Sequence, residues 1–259
     1  MLDNFEKEMR SLFVTTRASE KAMRIIKEKR CVFLKGNPGD GKTTLAKHIL
    51  EELMREKKMQ PLQLLSLENF YGKVPKCSRI IIFLDNLFGE RSVLKDEVHY
   101  FIIQKDFIKV ILNNDENGDG NMLIATLRND IYKECESRLS GIDFLRNSIV
   151  DISDMEHNIN REELECFLSK YELKDTIVSA DEIIKTRKFG NMIGIPQCIK
   201  ILKNITQNKS KKNIGDIFEH PVKHLQEEIK LRINEKEHKT AVLIYILLCG
   251  GKGLVMIHW

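Results

Sequence analysis

The chain has 259 residues, of which 42% are apolar and 31% charged, and a net charge of +4. That length supports one or two domains with real cores, and the balance is that of an ordinary globular protein. So slight a positive charge, without a concentrated basic stripe, argues against nucleic acid as a partner.

The lysines between Lys200 and Lys239 are interrupted by Glu219, Glu227, Glu228, Glu235 and Glu237 and read as a solvated helical surface. The six cysteines at 31, 77, 135, 166, 198 and 249 are dispersed, and residues 1–12 alternate charge and apolarity as a helix would. Reduced thiols and the lack of an opening signal fit a cytoplasmic protein.

In chain order, an opening charged helix leads to Phe13-Val14-Thr15-Thr16 and a second helix through Lys29. Cys31–Leu34 reads as a buried strand, and residues 36–43 complete the pattern G-x-x-x-x-G-K-S/T. Gly36, Gly39 and Gly41 permit backbone angles that a Cβ disfavours. The loop through Gly36, Asn37, Pro38, Gly39, Asp40 and Gly41 can therefore turn its N–H groups onto phosphate oxygens. Lys42 would reach the β- and γ-phosphates, and the Thr43 hydroxyl would reach Mg²⁺. The following helix, from Thr44, adds a dipole that favours an anion. This pattern predicts a bound nucleotide with magnesium.

Leu62–Leu67 and Arg79–Asp85 are the next predicted strands. Asp85 ends an apolar run about forty residues beyond the phosphate loop, at the strand end where open α/β sheets bind ligands. It is the candidate carboxylate on the magnesium side. Asn86 follows, where related hydrolases place a second acid; an amide orients water but cannot take its proton, so hydrolysis is expected to be slow or absent. Glu90 could substitute, although no spacing favours it. Helical spacing resumes at Val98, Phe101, Ile102 and Ile108, and Met122–Thr126 and Ser148–Ile152 are further strands. Arg128, just beyond the first of these, has two readings: a sensor of the γ-phosphate, or a surface arginine paired with Asp130 or Glu134.

Strand and helix alternate to about residue 152, as in an α/β fold with a parallel sheet and crossover helices. Beyond it the pattern is helical. Leu164, Phe167 and Leu168 share a face, Ser179–Glu182 reads as a capping box, and helices are predicted over Gln197–Thr206, after Pro196, and over Val222–Ile233. The expected organisation is a nucleotide-binding unit at 1–152, a small helical unit at 153–214 and a third unit from 215. Ala241–Cys249 is too short to span a bilayer, so no membrane segment is expected. The apolar end Leu254–Trp259 suggests a piece of a larger protein, cut within the third unit. Two decoys carry little. Asp115–Gly120 opens like a calcium loop but has Thr126 where the final Glu belongs. His220 and His224 lack a third ligand for zinc.

Taken together, FVTTRASEKAMRII (13–26), GNPGDGKTTLAKHIL (36–50), IIFLDNLFG (81–89), LIATLRNDIYKEC (123–135) and GIPQCIKIL (194–202) resemble the STAND class of signal-transduction NTPases, relatives of NB-ARC and NACHT modules. Within that class the chain is most similar to the third of the novel STAND NTPase families. The resemblance spans about residues 12–257. It implies a P-loop NTPase sheet with flanking helices, a small helical lid and the start of a winged-helix domain. It also implies ATP or ADP with Mg²⁺ held by Lys42, Thr43 and Asp85, Arg128 as the sensor, and Pro196 on the adenine side with Phe13 and Val14 opposite. A switch is implied, with self-association that depends on nucleotide and with effector and sensor domains that lie outside this sequence. Asn86 departs from the family's usual second Asp. Competing readings are an AAA+-like ATPase acting on nucleic acid or protein, a small-molecule phosphotransferase with Arg187 and Lys188 in its lid, and a scaffold without nucleotide.

Overall fold

The computed structural model describes residues 12–68, 70–75, 78–113, 120–154, 156, 159–173, 179–186, 193–207, 218–220, 223, 224 and 226. The expected opening helix, most of the third unit, the calcium-like run at 115–119 and the Arg187–Lys188 pair lie outside these residues. In order the elements are α1 (Arg17–Lys29), β1 (Cys31–Gly36), α2 (Lys42–Lys57), β2 (Gln60–Leu64), α3 (Phe70–Lys73), β3 (Ile80–Leu84) and α4 (Lys95–Leu112). They continue with β4 (Met122–Arg128), α5 (Asn129–Leu139), α6 (Asp143–Arg146), β5 (Ile149–Asp151), α7 (Arg161–Lys170), α8 (Ala180–Thr186) and α9 (Ile195–Gln207).

The strands form one sheet in the order β2-β3-β4-β1-β5, with every pairing parallel. Strand periodicity divides its side chains between two cores. Val32, Leu34, Ile81, Phe83, Met122 and Ile124 pack with Ala22 and Ile26 of α1 and with Leu45, Ile49 and Leu53 of α2. Cys31, Phe33, Ile82, Leu84, Leu123, Ala125 and Leu127 face the other way, onto α4 and α5 through Val98, Phe101, Ile108, Ile131 and Cys135. The result is a three-layer sandwich with helices on both faces, as parallel sheets require. A further cluster joins Leu164, Phe167 and Leu168 of α7 to Ile183 of α8 and Ile199 and Leu202 of α9, and it takes in Val14 and Phe218.

Several element ends differ from the sequence reading. The phosphate-loop helix starts at Lys42 rather than Thr44, with Gly41 in the left-handed region (φ 91°) as its N-cap. Strand β2 is Gln60–Leu64 rather than 62–67, because its partner β3 sets the register from Gln60↔Ile80 to Leu64↔Leu84. Pro196 lies inside α9 rather than before it; a first-turn proline gives up no helical hydrogen bond. Helix α1 is fixed by a reciprocal capping box between Thr16 and Ser19, and α7 by one between Asn160 and Glu163. No helix among the described residues is long and apolar enough to cross a membrane.

Ile82 is fully buried in the middle of the sheet. Ile82→Ala is expected to cost about 2–5 kcal/mol through lost burial and the cavity it leaves. Urea unfolding followed by circular dichroism measures this, with Leu65→Ala, at a position 95% exposed, as the near-neutral control.

Candidate nucleotide site

The site lies at the carboxyl ends of β1, β4 and β3. Its first component is the loop joining β1 to α2, where Gly39 and Gly41 take positive φ values of 79° and 91°. Lys42 is only 8% exposed. Its ammonium donates to the carbonyls of Gly36 at 3.1 Å and Asn37 at 2.8 Å, so the loop closes around it. Burial pushes the Lys42 pKa down and the nearby Arg128 adds to this, while Asp40, Asp85 and Asp130 act against it. A buried cation in a ring of carbonyls is a ready partner for phosphate oxygen.

The second component is Asp85, one residue past the end of β3. Its Oδ1 accepts from Thr43 Oγ1 at 2.9 Å and from Thr126 Oγ1 at 2.6 Å. The Thr126 hydroxyl in turn accepts the Asn86 N–H at 2.7 Å, and the Thr126 carbonyl accepts the Leu87 N–H at 3.0 Å. Thr126 is fully buried. It therefore fixes both the carboxylate and the turn beyond it, in which Asn86 sits at a φ of 52° that asparagine tolerates. The Thr43 hydroxyl and the Asp85 carboxylate are the hard oxygen donors that a divalent cation such as magnesium prefers, so the residues present fit one.

The third component is Arg128. Its Nε and Nη2 donate to the two carboxylate oxygens of Asp130, at 3.1 and 2.7 Å. Partial burial is the largest single influence and works against charge on Asp130, but Arg128 together with the backbone N–H groups of Ile131 and Asp130 outweighs it and holds the carboxyl below its ordinary value. The structure shows the pair with Asp130, and the paired guanidinium also lines the cavity.

That cavity has a volume of about 370 Å³, within the usual range for small-molecule sites. Its walls bring together Pro38, Gly39, Asp40, Gly41, Lys42, Thr43 and Thr44 with Asn86, Glu90, Arg128 and Pro196. Gly36 and Asn37 frame the loop through their carbonyls, and Asp85 joins from below through Thr43. Phe13 and Val14 also line the cavity, as do Ile159, Phe167, Tyr171, Gln197 and Lys200, for which the sequence carries no signal there. Phe13 stacks on His48 with ring centroids 3.7 Å apart, and its carbonyl accepts from Lys170 of α7. Asn129 was also missed; its amide donates to Asn37 Oδ1 at 3.1 Å and to Ser153 Oγ at 2.7 Å, tying the loop to the end of β5. Strand parity could have exposed Thr126, since it alternates in phase with Met122 and Ile124 toward α2. No local pattern marks Asn129 or Gln197.

Residues 13–171 match the family described as Novel STAND NTPase 3. The chain belongs to that family. It is a nucleotide-binding P-loop NTPase module of the STAND type, a class whose sites take nucleotide and a divalent cation. No curated protein matches the sequence. Among solved structures the chain is similar to PCH-2 of C. elegans, at 14% identity and a TM-score of 0.41, with 82% of this chain and 66% of that one covered. It is also similar to Cdc6p of Pyrobaculum aerophilum, at 14% identity and a TM-score of 0.44, with coverages of 76% and 64%. The ORC2 protein of Aeropyrum pernix, solved as ADPNP–ADP complexes, matches at 13% identity and a TM-score of 0.41, with coverages of 81% and 66%. The STAND module thus spans just under two thirds of the length of each of these proteins.

Thr126→Val keeps the shape and removes the hydroxyl. It should destabilise the protein by about 1–3 kcal/mol, since the Asn86 N–H loses its partner. It should also blunt the magnesium dependence of nucleotide affinity, because Asp85 loses one of the two hydroxyls that orient it. Urea unfolding, and nucleotide titrations with and without Mg²⁺, read the two effects separately.

Proposed function

We propose that this module is an ATP/ADP-operated switch with slow or absent hydrolysis, acting within a larger protein whose self-association depends on the bound nucleotide. The observation that carries the reading is the construction around Asp85. The carboxylate is oriented by two hydroxyls, and the next residue, which carries no acid, is Asn86. Such a site is built to hold a nucleotide more than to turn it over.

In this reading the loop N–H groups and Lys42 bind the phosphates, while Thr43 and Asp85 hold magnesium, which when bound supplies positive charge to the phosphoryl oxygens. Asn86 orients water without accepting its proton. Arg128 exchanges part of its Asp130 pairing for the γ-phosphate when ATP replaces ADP. Its present pair is exposed on the Asp130 side (54%), and such pairs are worth on the order of 1 kcal/mol or less, so the exchange is cheap. Pro196 and the apolar wall from Phe13 to Tyr171 take the base and sugar. The helices α7–α9 act as a lid. A switch needs the open and closed forms to differ in their affinity for the γ-phosphate, and Arg128 with the lid supplies that difference.

The test is the nucleotide content and turnover of the purified protein beside Lys42→Ala and Asn86→Asp. ADP should co-purify with the wild type and be lost from Lys42→Ala, with little hydrolysis of added ATP. Asn86→Asp should raise turnover by about a hundredfold, in line with an added general base. Rapid multiple turnover by the wild type would overturn the switch reading, and stimulation by DNA or RNA would favour an AAA+-like ATPase in its place.

A further inference from the structure

The phosphate loop meets the start of α9 through Pro38, Gly39 and one acidic residue, Asp40. Asp40 Oδ2 accepts the Asn37 N–H at 2.6 Å, which holds the loop in its turn. On the opposite side of Asp40 lies Gly194, immediately before α9. A Cβ on Gly194 would overlap Asp40 Oδ1 and lie 2.6 Å from the Asp40 Cα and N. The Gly194 N–H donates to the Pro38 carbonyl at 2.9 Å, so the seat is both hydrogen-bonded and close-packed. Two further glycines bound the same contact. A Cβ on Gly36 would come within 2.8 Å of Asp40 Oδ2, and one on Gly39 within 2.6 Å of Gln197 Cβ on α9.

The Asp40 side chain and backbone sit directly on the Gly194 backbone, with no Gly194 side chain between them to absorb movement. Close-packed contacts of this kind shift as units rather than deform. A change in the loop must therefore be passed to the first turn of α9, where Pro196 and Gln197 line the cavity. Nothing in the loop pattern requires an acid at position 40; the pattern leaves that position open. A carboxylate inside a phosphate-binding loop is electrostatically unfavourable for nucleotide, which makes its placement against both Asn37 and Gly194 informative.

We propose that Asp40 is a positioning residue that locks the phosphate loop to α9 through Gly194, so that occupancy of the loop is transmitted to the helical unit. The inference rests on the nucleotide reading above. It assigns to one side chain the coupling that a switch requires.

Hydrogen exchange of the α9 amides in the full chain, with and without saturating Mg–ADP, tests it. Wild type is compared with Asp40→Ala, Asp40→Asn and Gly194→Ala, and the ADP occupancy of every sample is measured by calorimetric titration. In the wild type, ADP should slow α9 exchange by about tenfold or more. In Asp40→Ala and Gly194→Ala that slowing should vanish in samples shown to be saturated with ADP. Asp40→Asn should restore it, because the amide oxygen still accepts the Asn37 N–H. Slowing that persists in both Asp40→Ala and Gly194→Ala overturns the coupling while leaving nucleotide binding intact. Failure of the wild type to bind ADP defeats the nucleotide reading, and this inference with it. Circular dichroism checks folding, and if Asp40→Ala does not fold then Gly194→Ala decides the question alone.

Discussion

Strand β4 lies between β1 and β3 in the sheet, and the site's construction follows from that order. The phosphate loop leaves β1 and the acid leaves β3, so the two are separated by two strand spacings, about 10 Å. No side chain of β1 reaches Asp85. The gap is closed by two threonine hydroxyls that meet on one carboxylate oxygen, Thr43 from the first turn of α2 and Thr126 from β4. Register makes this possible. Leu84 pairs with Ala125, which brings the following residues, Asp85 and Thr126, side by side. Parity then turns both toward α2, on whose first turn Thr43 waits. A slip of one residue would send all of these groups to the opposite face.

The charges of the site nearly balance before any ligand is considered. Lys42 and Arg128 face Asp40, Asp85 and Asp130, and each cation already has oxygen partners: loop carbonyls for Lys42 and Asp130 for Arg128. A polyphosphate entering this arrangement replaces existing hydrogen bonds rather than filling bare charge. Binding then trades one set of partners for another, and the trade differs between two phosphates and three. In the proposed switch, this difference is what would let the site discriminate nucleotide states.

The cavity is completed from both ends of the family region and from beyond it. Leu12 to Thr16 precede the sheet, yet Val14 packs into the helical cluster, Phe13 stacks on α2 through His48, and Arg17 N–H donates to Glu163 of α7 at 2.7 Å. From the other side α9 rests on the phosphate loop at Gly194. One short segment and one helix, about 180 residues apart in sequence, thus clamp the same space.

Much of the site was legible in the chain itself, because its chemistry is local. The turn of the phosphate loop depends on glycines at set spacing and delivers Lys42 and Thr43 wherever the surrounding strand and helix form. Asp85 announces itself as the polar end of the apolar run Ile80–Leu84, and the alternation of strands and helices determined a parallel sheet with helices on both faces. Tertiary structure decided the rest. Strand order alone made Thr126 the bridge to Asp85. Packing across the loop made Gly194, Gln197 and Asn129 its neighbours, and the length of the Arg128 side chain let it pair with Asp130 while still lining the cavity. Apart from the Arg128–Asp130 pair, which the sequence itself suggests, those relations depend on contacts between segments from about 40 to about 160 residues apart, set by register and close packing, for which no neighbouring residue in the sequence carries a signal.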